Sequence, residues 1–133
     1  MKRLRTLLGE DNQQFAAAFV RAHPELEIEQ SSSPEYTVYI AEFYHDDPHY
    51  FYQLIISDLS YTDEHKREGY EVIRQIRTFD KKVPIILQTG ADARDMPEIE
   101  RLARAAGANY VFSKQDSNGI NAAIGEVVRR KRR

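Results

Sequence analysis

Leu54-Ile55-Ile56-Ser57-Asp58 is the stretch from which the fold of this chain is read. Three large apolar residues run without a break into one acid, and polar residues with a glycine follow. A short unbroken apolar run predicts a strand buried on both faces, as in the middle of a parallel sheet. Such strands end at a carboxyl edge, where open α/β sheets place their chemistry. Asp58 is therefore expected at the tip of a central strand, facing a site. The alternative for Asp58 is a loop start or a helix cap, and the flanking segments decide between the two.

Upstream, Lys2 to Leu8 reads as a first strand that runs into Gly9-Glu10-Asp11-Asn12. Adjacent acids at a strand end repel each other. Either they lie in a solvated loop with Asp11 or Asn12 capping the next helix, or they form a cation site, since hard divalent ions take carboxylate oxygens. Asn12 to His23 is a helix stopped by Pro24, with Phe15, Ala18, Phe19 and Ala22 on its apolar face. Leu26 to Glu29 alternates as a short second strand. Ser31-Ser32-Ser33-Pro34-Glu35 opens a second helix with a serine cap, a proline at the first position and an acid in the first turn. Tyr36, Tyr39, Ile40 and Phe43 line one face of it, half of the tyrosine-rich run Tyr36 to Tyr52 is expected against the core, and the exposed remainder offers a partner or dimer surface. His45 and His49 straddle Pro48 in a polar turn and read as surface histidines rather than a metal pair.

Downstream of the third strand, Gln53 to Asp58, a long charged loop runs from Leu59 to Glu68 and Gly69 opens the third helix, whose apolar face is Val72, Ile73 and Ile76. Val83 to Gly90 is the fourth strand, with Thr89 and Gly90 level with Asp58. The fourth helix, Pro97 to Ala106, buries Ile99, Leu102 and Ala103 and is capped by Gly107. Asn109 to Ser113 is the fifth strand, with Lys114 just past its end. The fifth helix starts near Ser117, buries Ile120, Ile124 and Val127, and runs into the basic residues Arg129 to Arg133.

Strand and helix alternate five times. This predicts an open parallel sheet with helices on both faces and right-handed crossovers. Flavodoxin-like and Rossmann strand orders both satisfy the pattern. The acidic first turn lacks a glycine-rich phosphate cradle, which argues against a dinucleotide.

Composition bounds the function. The 133 residues suffice for one domain with a real core. A formal net charge of -2 does not suggest a nucleic-acid binder. The absence of cysteine excludes disulfides, thiolate metal sites and thiol nucleophiles, and suits a cytoplasmic protein. No apolar run approaches the ~20 residues of a membrane span, and the stretch after Met1-Lys2-Arg3 is too short for a signal peptide.

The predicted carboxyl edge gathers Glu10, Asp11, Asp58, Thr89 and Lys114. An acid cluster suits Mg²⁺. An ammonium opposite it pairs with a carboxylate or an incoming phosphoryl oxygen. An aspartate beside a metal is a competent phosphoryl acceptor. This set, spread over four strand ends, resembles the receiver domain of bacterial response regulators, the family that includes the chemotaxis regulator, over roughly residues 2 to 128.

The resemblance implies a flavodoxin-like (βα)5 fold with strand order 2-1-3-4-5. It makes Asp58 the phosphoacceptor and Asp11 a direct Mg²⁺ ligand. Glu10 acts mainly through water, and the Ser60 backbone carbonyl is a third protein ligand. Thr89 becomes the switch hydroxyl and Lys114 its salt-bridge partner. The implied function is a cytoplasmic signalling module that accepts a phosphoryl group from a sensor histidine kinase or phosphotransfer protein and catalyses only its own phosphorylation and dephosphorylation. Phosphorylation would bias a two-state equilibrium in the rim loops and in the face of fourth helix, fifth strand and fifth helix, a face open to a homodimer, an output domain or a target protein.

The chain departs from the family pattern in places. The loop after Asp58 is longer than usual and lacks Met-Pro, and the usual Lys-Pro reads Lys114-Gln115. The aromatic switch position holds Val111, so its coupling to Thr89 is either absent or routed through Tyr110 or Phe112. These departures support a second reading, a receiver-like interaction module that never uses phosphate. A third, a flavodoxin-like or phosphatase-like Mg²⁺ enzyme, lacks both a flavin phosphate loop and a second acid directly after Asp58. Residues 129–133 read as a solvated basic helix end, favourable at the negative end of the helix dipole, or as the start of a linker.

Overall fold

The computed structural model describes residues 3–63 and 65–131. The expected first-strand residue Lys2, the loop residue Glu64 and the tail residues Arg132 and Arg133 lie outside the described residues. The chain alternates β1 (Leu4–Gly9), α1 (Gln13–Ala22), β2 (Leu26–Ser31), α2 (Pro34–Tyr44), β3 (Leu54–Asp58), α3 (Gly69–Phe79), β4 (Ile85–Thr89), α4 (Met96–Ala106), β5 (Tyr110–Ser113) and α5 (Ser117–Lys131). The five strands form one parallel sheet in the order β2-β1-β3-β4-β5. This is the flavodoxin-like order, with the chain reversing direction across the sheet between β1 and β3.

The unbroken apolar run of β3 is explained by its place in that sheet. All five β3 residues are buried. Ile55 joins Leu7, Ile85, Leu87 and Val111 in the core beneath α2, α3 and α4. Leu54 and Ile56 join Leu4, Leu8, Leu26 and Ile86 in the core beneath α1 and α5. Successive side chains point to opposite faces, so a strand covered on both sides must be apolar at every position.

Local signals set the helix ends. The side chains of Asn12 and Ser33 accept hydrogen bonds from the Phe15 and Tyr36 amides and cap α1 and α2. Gly107, at φ 122°, ends α4 in a conformation that favours glycine. The basic end of α5 is helical through Lys131.

Two expected helix faces hold only in part: Phe19 and Ile40 are buried as expected. In α1, Ala18 and Ala22 are exposed, and Ala16 and Phe19 are buried. In α2, Thr37, Ile40 and Ala41 face the core, while Tyr36, Tyr39 and Phe43 are 50, 60 and 65% exposed. Both stripes of α2 have helical spacing, so periodicity alone does not choose between them. The choice follows from space. The ring of Tyr61, in the loop after β3, already fills the core on this side, and its hydroxyl reaches Thr37. Thr37, Ile40 and Ala41 pack toward it in place of the larger rings.

The lower end of the tyrosine-rich run has its own order. The Arg5 guanidinium lies over the rings of Tyr44, Tyr50 and Tyr52 at 5.2, 5.4 and 4.8 Å and pairs with Glu29 at 3.0 Å. His45 pairs with Asp80 at 3.3 Å and packs on Phe79, and His49 is exposed. Neither joins a metal-ligand group among the described residues.

His23 is buried against Phe19, with ring centroids 4.4 Å apart. Burial pushes its pKa below the ordinary histidine value, and Glu25 only partly opposes this. The unfolded chain therefore takes up the proton more readily than the folded one. Stability is full above the ordinary histidine range and falls as pH drops through it toward the depressed folded value. The difference in urea midpoint between the unaltered chain and His23→Phe, which keeps the ring contact, is therefore expected to shift between pH ~7 and ~5, with the unaltered chain losing ground as pH falls.

Candidate functional site

Strand register brings the expected residues together. Gly9 of β1 is level with Ser57 of β3, so Glu10 and Asp58 emerge side by side at the carboxyl edge. Thr89 of β4 is level with Ser113 of β5, which sets Lys114 one residue beyond the rim, where its amide donates to the Thr89 carbonyl at 2.8 Å. The Lys114 Nζ then lies 2.7 Å from Glu10 Oε1 and 3.0 Å from Asp58 Oδ2. Carboxylate oxygens of Glu10, Asp11 and Asp58 fall within 4.8 Å of one another. Ser60 lines the same open cavity, of about 650 Å³, together with Thr89 and Lys114.

Burial makes this cluster electrostatically tense. Glu10 is pushed up to about 7, first by burial and then by the Asp58 charge, with Lys114 and the Asn12 amide pulling the other way. Burial also raises Asp58, against Lys114. For Lys114, burial lowers the pKa, but the two carboxylates outweigh it and the net shift is upward. One ammonium faces three acids, so the set carries excess negative charge in a partly desolvated place. Hard oxygen donors with that excess fit a divalent cation.

Thr89 occupies the rim, but its Oγ1 accepts a hydrogen bond from the Ala91 amide at 3.1 Å. Val111 is buried in the core beneath α4. Tyr110 and Phe112 pack against the opposite core, beneath α1 and α5. Neither ring lies on the Val111 side of the sheet.

Three contributors were not expected from sequence. Phe15 is one, with the Lys114 Nζ 4.4 Å from its ring centroid. Its spacing puts it on the apolar face of α1, and nothing there marks a cation partner. Tyr61 is another. It is fully buried, and its hydroxyl lies 2.8 Å from Ser57 Oγ. Its place in a run of polar loop residues gave no apolar period to detect. Around it, the Glu68 carboxylate accepts from the Tyr61 amide and the Thr62 hydroxyl and closes the loop on itself.

Gln88 is the third. It lies in β4 in register with Asp58 and is fully buried, yet neither its amide nitrogen nor its oxygen has a hydrogen-bond partner among the described residues. A buried amide without partners costs about 1–3 kcal/mol. Gln88→Met, of similar volume, is expected to raise the unfolding free energy by about that amount. An unchanged or lower urea midpoint would count against this.

Gly69 holds the site from below. A Cβ there would stand 2.4 Å from the Asp58 carbonyl oxygen and 2.8 Å from the Leu59 Cα, both backbone atoms. Gly69→Ala must therefore displace the residue that ends β3, and is expected to cost about 1–3 kcal/mol in urea denaturation. At Gly90 a Cβ meets nothing within 4 Å, and Gly90→Ala is expected to change stability by less than about 0.5 kcal/mol.

No protein-family model matches the chain, and no curated protein matches it. Solved structures do. A CheY-like response regulator receiver domain protein from Methanospirillum hungatei superposes with a TM-score of 0.76 at 16% identity, covering 98% of each chain. The chemotaxis protein CheY4 of Vibrio cholerae gives 0.74 at 18% identity, over 94% of this chain and 98% of its own. The phosphorylated cyanobacterial phytochrome response regulator RcpA gives 0.64 at 17% identity, over 86% and 83%. The chain thus has the receiver-domain fold along essentially its whole length. Among the described residues no helix is long and apolar enough to cross a membrane.

Proposed function

We propose that this chain, folded as a receiver domain, accepts a phosphoryl group on Asp58 from a sensor histidine kinase or phosphotransfer protein in two-component signalling. The observation that carries this reading is the Lys114 ammonium bridging Glu10 and Asp58 at the mouth of an open cavity. Asp11, Asp58 and the Ser60 carbonyl would hold a Mg²⁺ ion, with Glu10 acting through water, and the ion would offset charge on the incoming phosphoryl oxygens.

The chain's own residues then divide the work. An Asp58 carboxylate oxygen bonds to phosphorus as the bond from phosphorus to the donor breaks, and the donor keeps the electron pair. Lys114 moves its pairing from the Asp58 carboxylate to a phosphoryl oxygen. The Thr89 hydroxyl gives up the Ala91 amide and donates to a second phosphoryl oxygen. Release of the phosphoryl group to water returns the starting pairs.

In this reading residues 1–128 form the receiver and residues 129–133 a basic end or the start of a linker. The protein works in the cytoplasm as a signalling module. Its output is read at the face of α4, β5 and α5 by an output domain, a target protein or a second copy. With Val111 buried, that readout runs without a swinging ring at β5.

The test is intact mass after incubation with acetyl phosphate and Mg²⁺. A gain of one phosphoryl group that disappears with a chelator supports the reading. No gain under conditions where Mg²⁺ binding is confirmed overturns it in favour of a phosphate-independent interaction module.

A further inference from the structure

The outer face of α2 carries an aromatic ladder apart from the acidic rim. Tyr36 and Tyr39 stack at 6.1 Å, Tyr39 meets Phe43 at 6.0 Å, and Phe43 meets Tyr44 edge-on at 5.0 Å. Five of the six exposed large hydrophobic residues among those described fall between Tyr36 and Phe51. Such a run of half-exposed rings presents several hundred Å² of mainly apolar surface, in the size range that marks interaction sites.

Charge says what the surface accepts. Between Gln30 and Gln53 the chain has four acids, Glu35, Glu42, Asp46 and Asp47, and no lysine or arginine. Glu35, Glu42 and Asp46 are exposed, and Glu35 and Glu42 have no ion-pair partner among the described residues. The lower end of the same ladder already seats a guanidinium, that of Arg5, over Tyr44, Tyr50 and Tyr52. A second copy docking by the same face would set acid against acid. An anionic membrane surface or a nucleic-acid backbone would be repelled for the same reason.

We propose that the outer face of α2 is a docking surface for a basic amphipathic helix of a protein partner. The partner's apolar stripe would lie on Tyr36, Tyr39 and Phe43, and its lysines or arginines would reach Glu35, Glu42 and Asp46.

The test uses two synthetic helices with the same leucine stripe, one flanked by arginines and one by glutamates. Each is titrated into the unphosphorylated full chain while backbone amide shifts are followed by NMR. Shifts from the arginine helix are expected within residues 35–51, with affinity about tenfold above that of the glutamate helix. Tyr39→Ser with Phe43→Ser, both at exposed positions, is expected to weaken binding about tenfold. Glu35→Lys with Glu42→Lys is expected to reverse the preference between the two helices.

Absence of binding, or shifts centred on Glu10 and Asp58, would overturn the proposal. So would affinity unchanged by either pair of substitutions. Sedimentation that shows self-association through this face, lost in the Tyr39→Ser/Phe43→Ser protein, would instead assign the surface to a second copy.

Discussion

Asp58→Ala is expected to take up no phosphoryl group from acetyl phosphate under conditions where the unaltered chain takes one. The loss is complete because no neighbouring acid can substitute. Glu10 is the nearest candidate, but its Oε1 is 2.7 Å from the Lys114 Nζ and its Oε2 accepts from the Asn12 amide. Asp11 is the outermost of the three and is assigned to the cation. The variant should fold, because Lys114 keeps Glu10 as its partner once Asp58 is gone. Far-UV circular dichroism checks that point, and intact mass reads the result. A phosphoryl group on the Asp58→Ala chain would move the acceptor elsewhere and sink the assignment.

Tyr61→Ala is expected to cost about 3–5 kcal/mol of unfolding free energy, because truncating a fully buried ring leaves a cavity that the surroundings refill only in part. That is a large fraction of the 5–15 kcal/mol of an ordinary domain. The ring joins Ile40, Ile55 and Val72 in the core beneath α2 and α3, and its hydroxyl contacts Ser57 one residue before the proposed acceptor. Tyr61→Phe keeps the ring and should lose only about 1 kcal/mol, the size of one net hydrogen bond. Urea denaturation of the three proteins separates the two contributions. Similar midpoints for the alanine and phenylalanine variants would show that packing is not what Tyr61 supplies. Gly9 is tied to the same residue, since a Cβ there would stand 1.9 Å from the Tyr61 hydroxyl oxygen. The glycine before the acidic pair therefore makes room for a ring from a loop about fifty residues downstream.

Much of this was legible in one dimension. The apolar run of β3, the alternation of strand and helix, the cap residues and the glycine after α4 are local signals, and each reports the period or the dihedral that its own segment requires. They carry the fold class. They also place Glu10, Asp11, Asp58, Thr89 and Lys114 at strand ends, because in a parallel sheet every strand points the same way and the residue after each strand falls on one rim.

What the chain alone left open depends on packing between distant segments. Either stripe of α2 could face the core, and in the folded chain it is Thr37, Ile40 and Ala41 that pack inward, where the Tyr61 ring is buried. Phe15 meets the Lys114 ammonium only because α1 and the end of β5 meet on one face. Gln88 reads as a strand residue and proves to be a buried amide beside the site with no hydrogen-bond partner among the described residues. Amino-acid order by itself determined the strand–helix plan and the composition of the acidic rim, since both follow from local periodicity. The tertiary structure decided which face of each helix is buried and how Lys114 is shared between Glu10 and Asp58, since both depend on volume and distance between residues far apart in the chain.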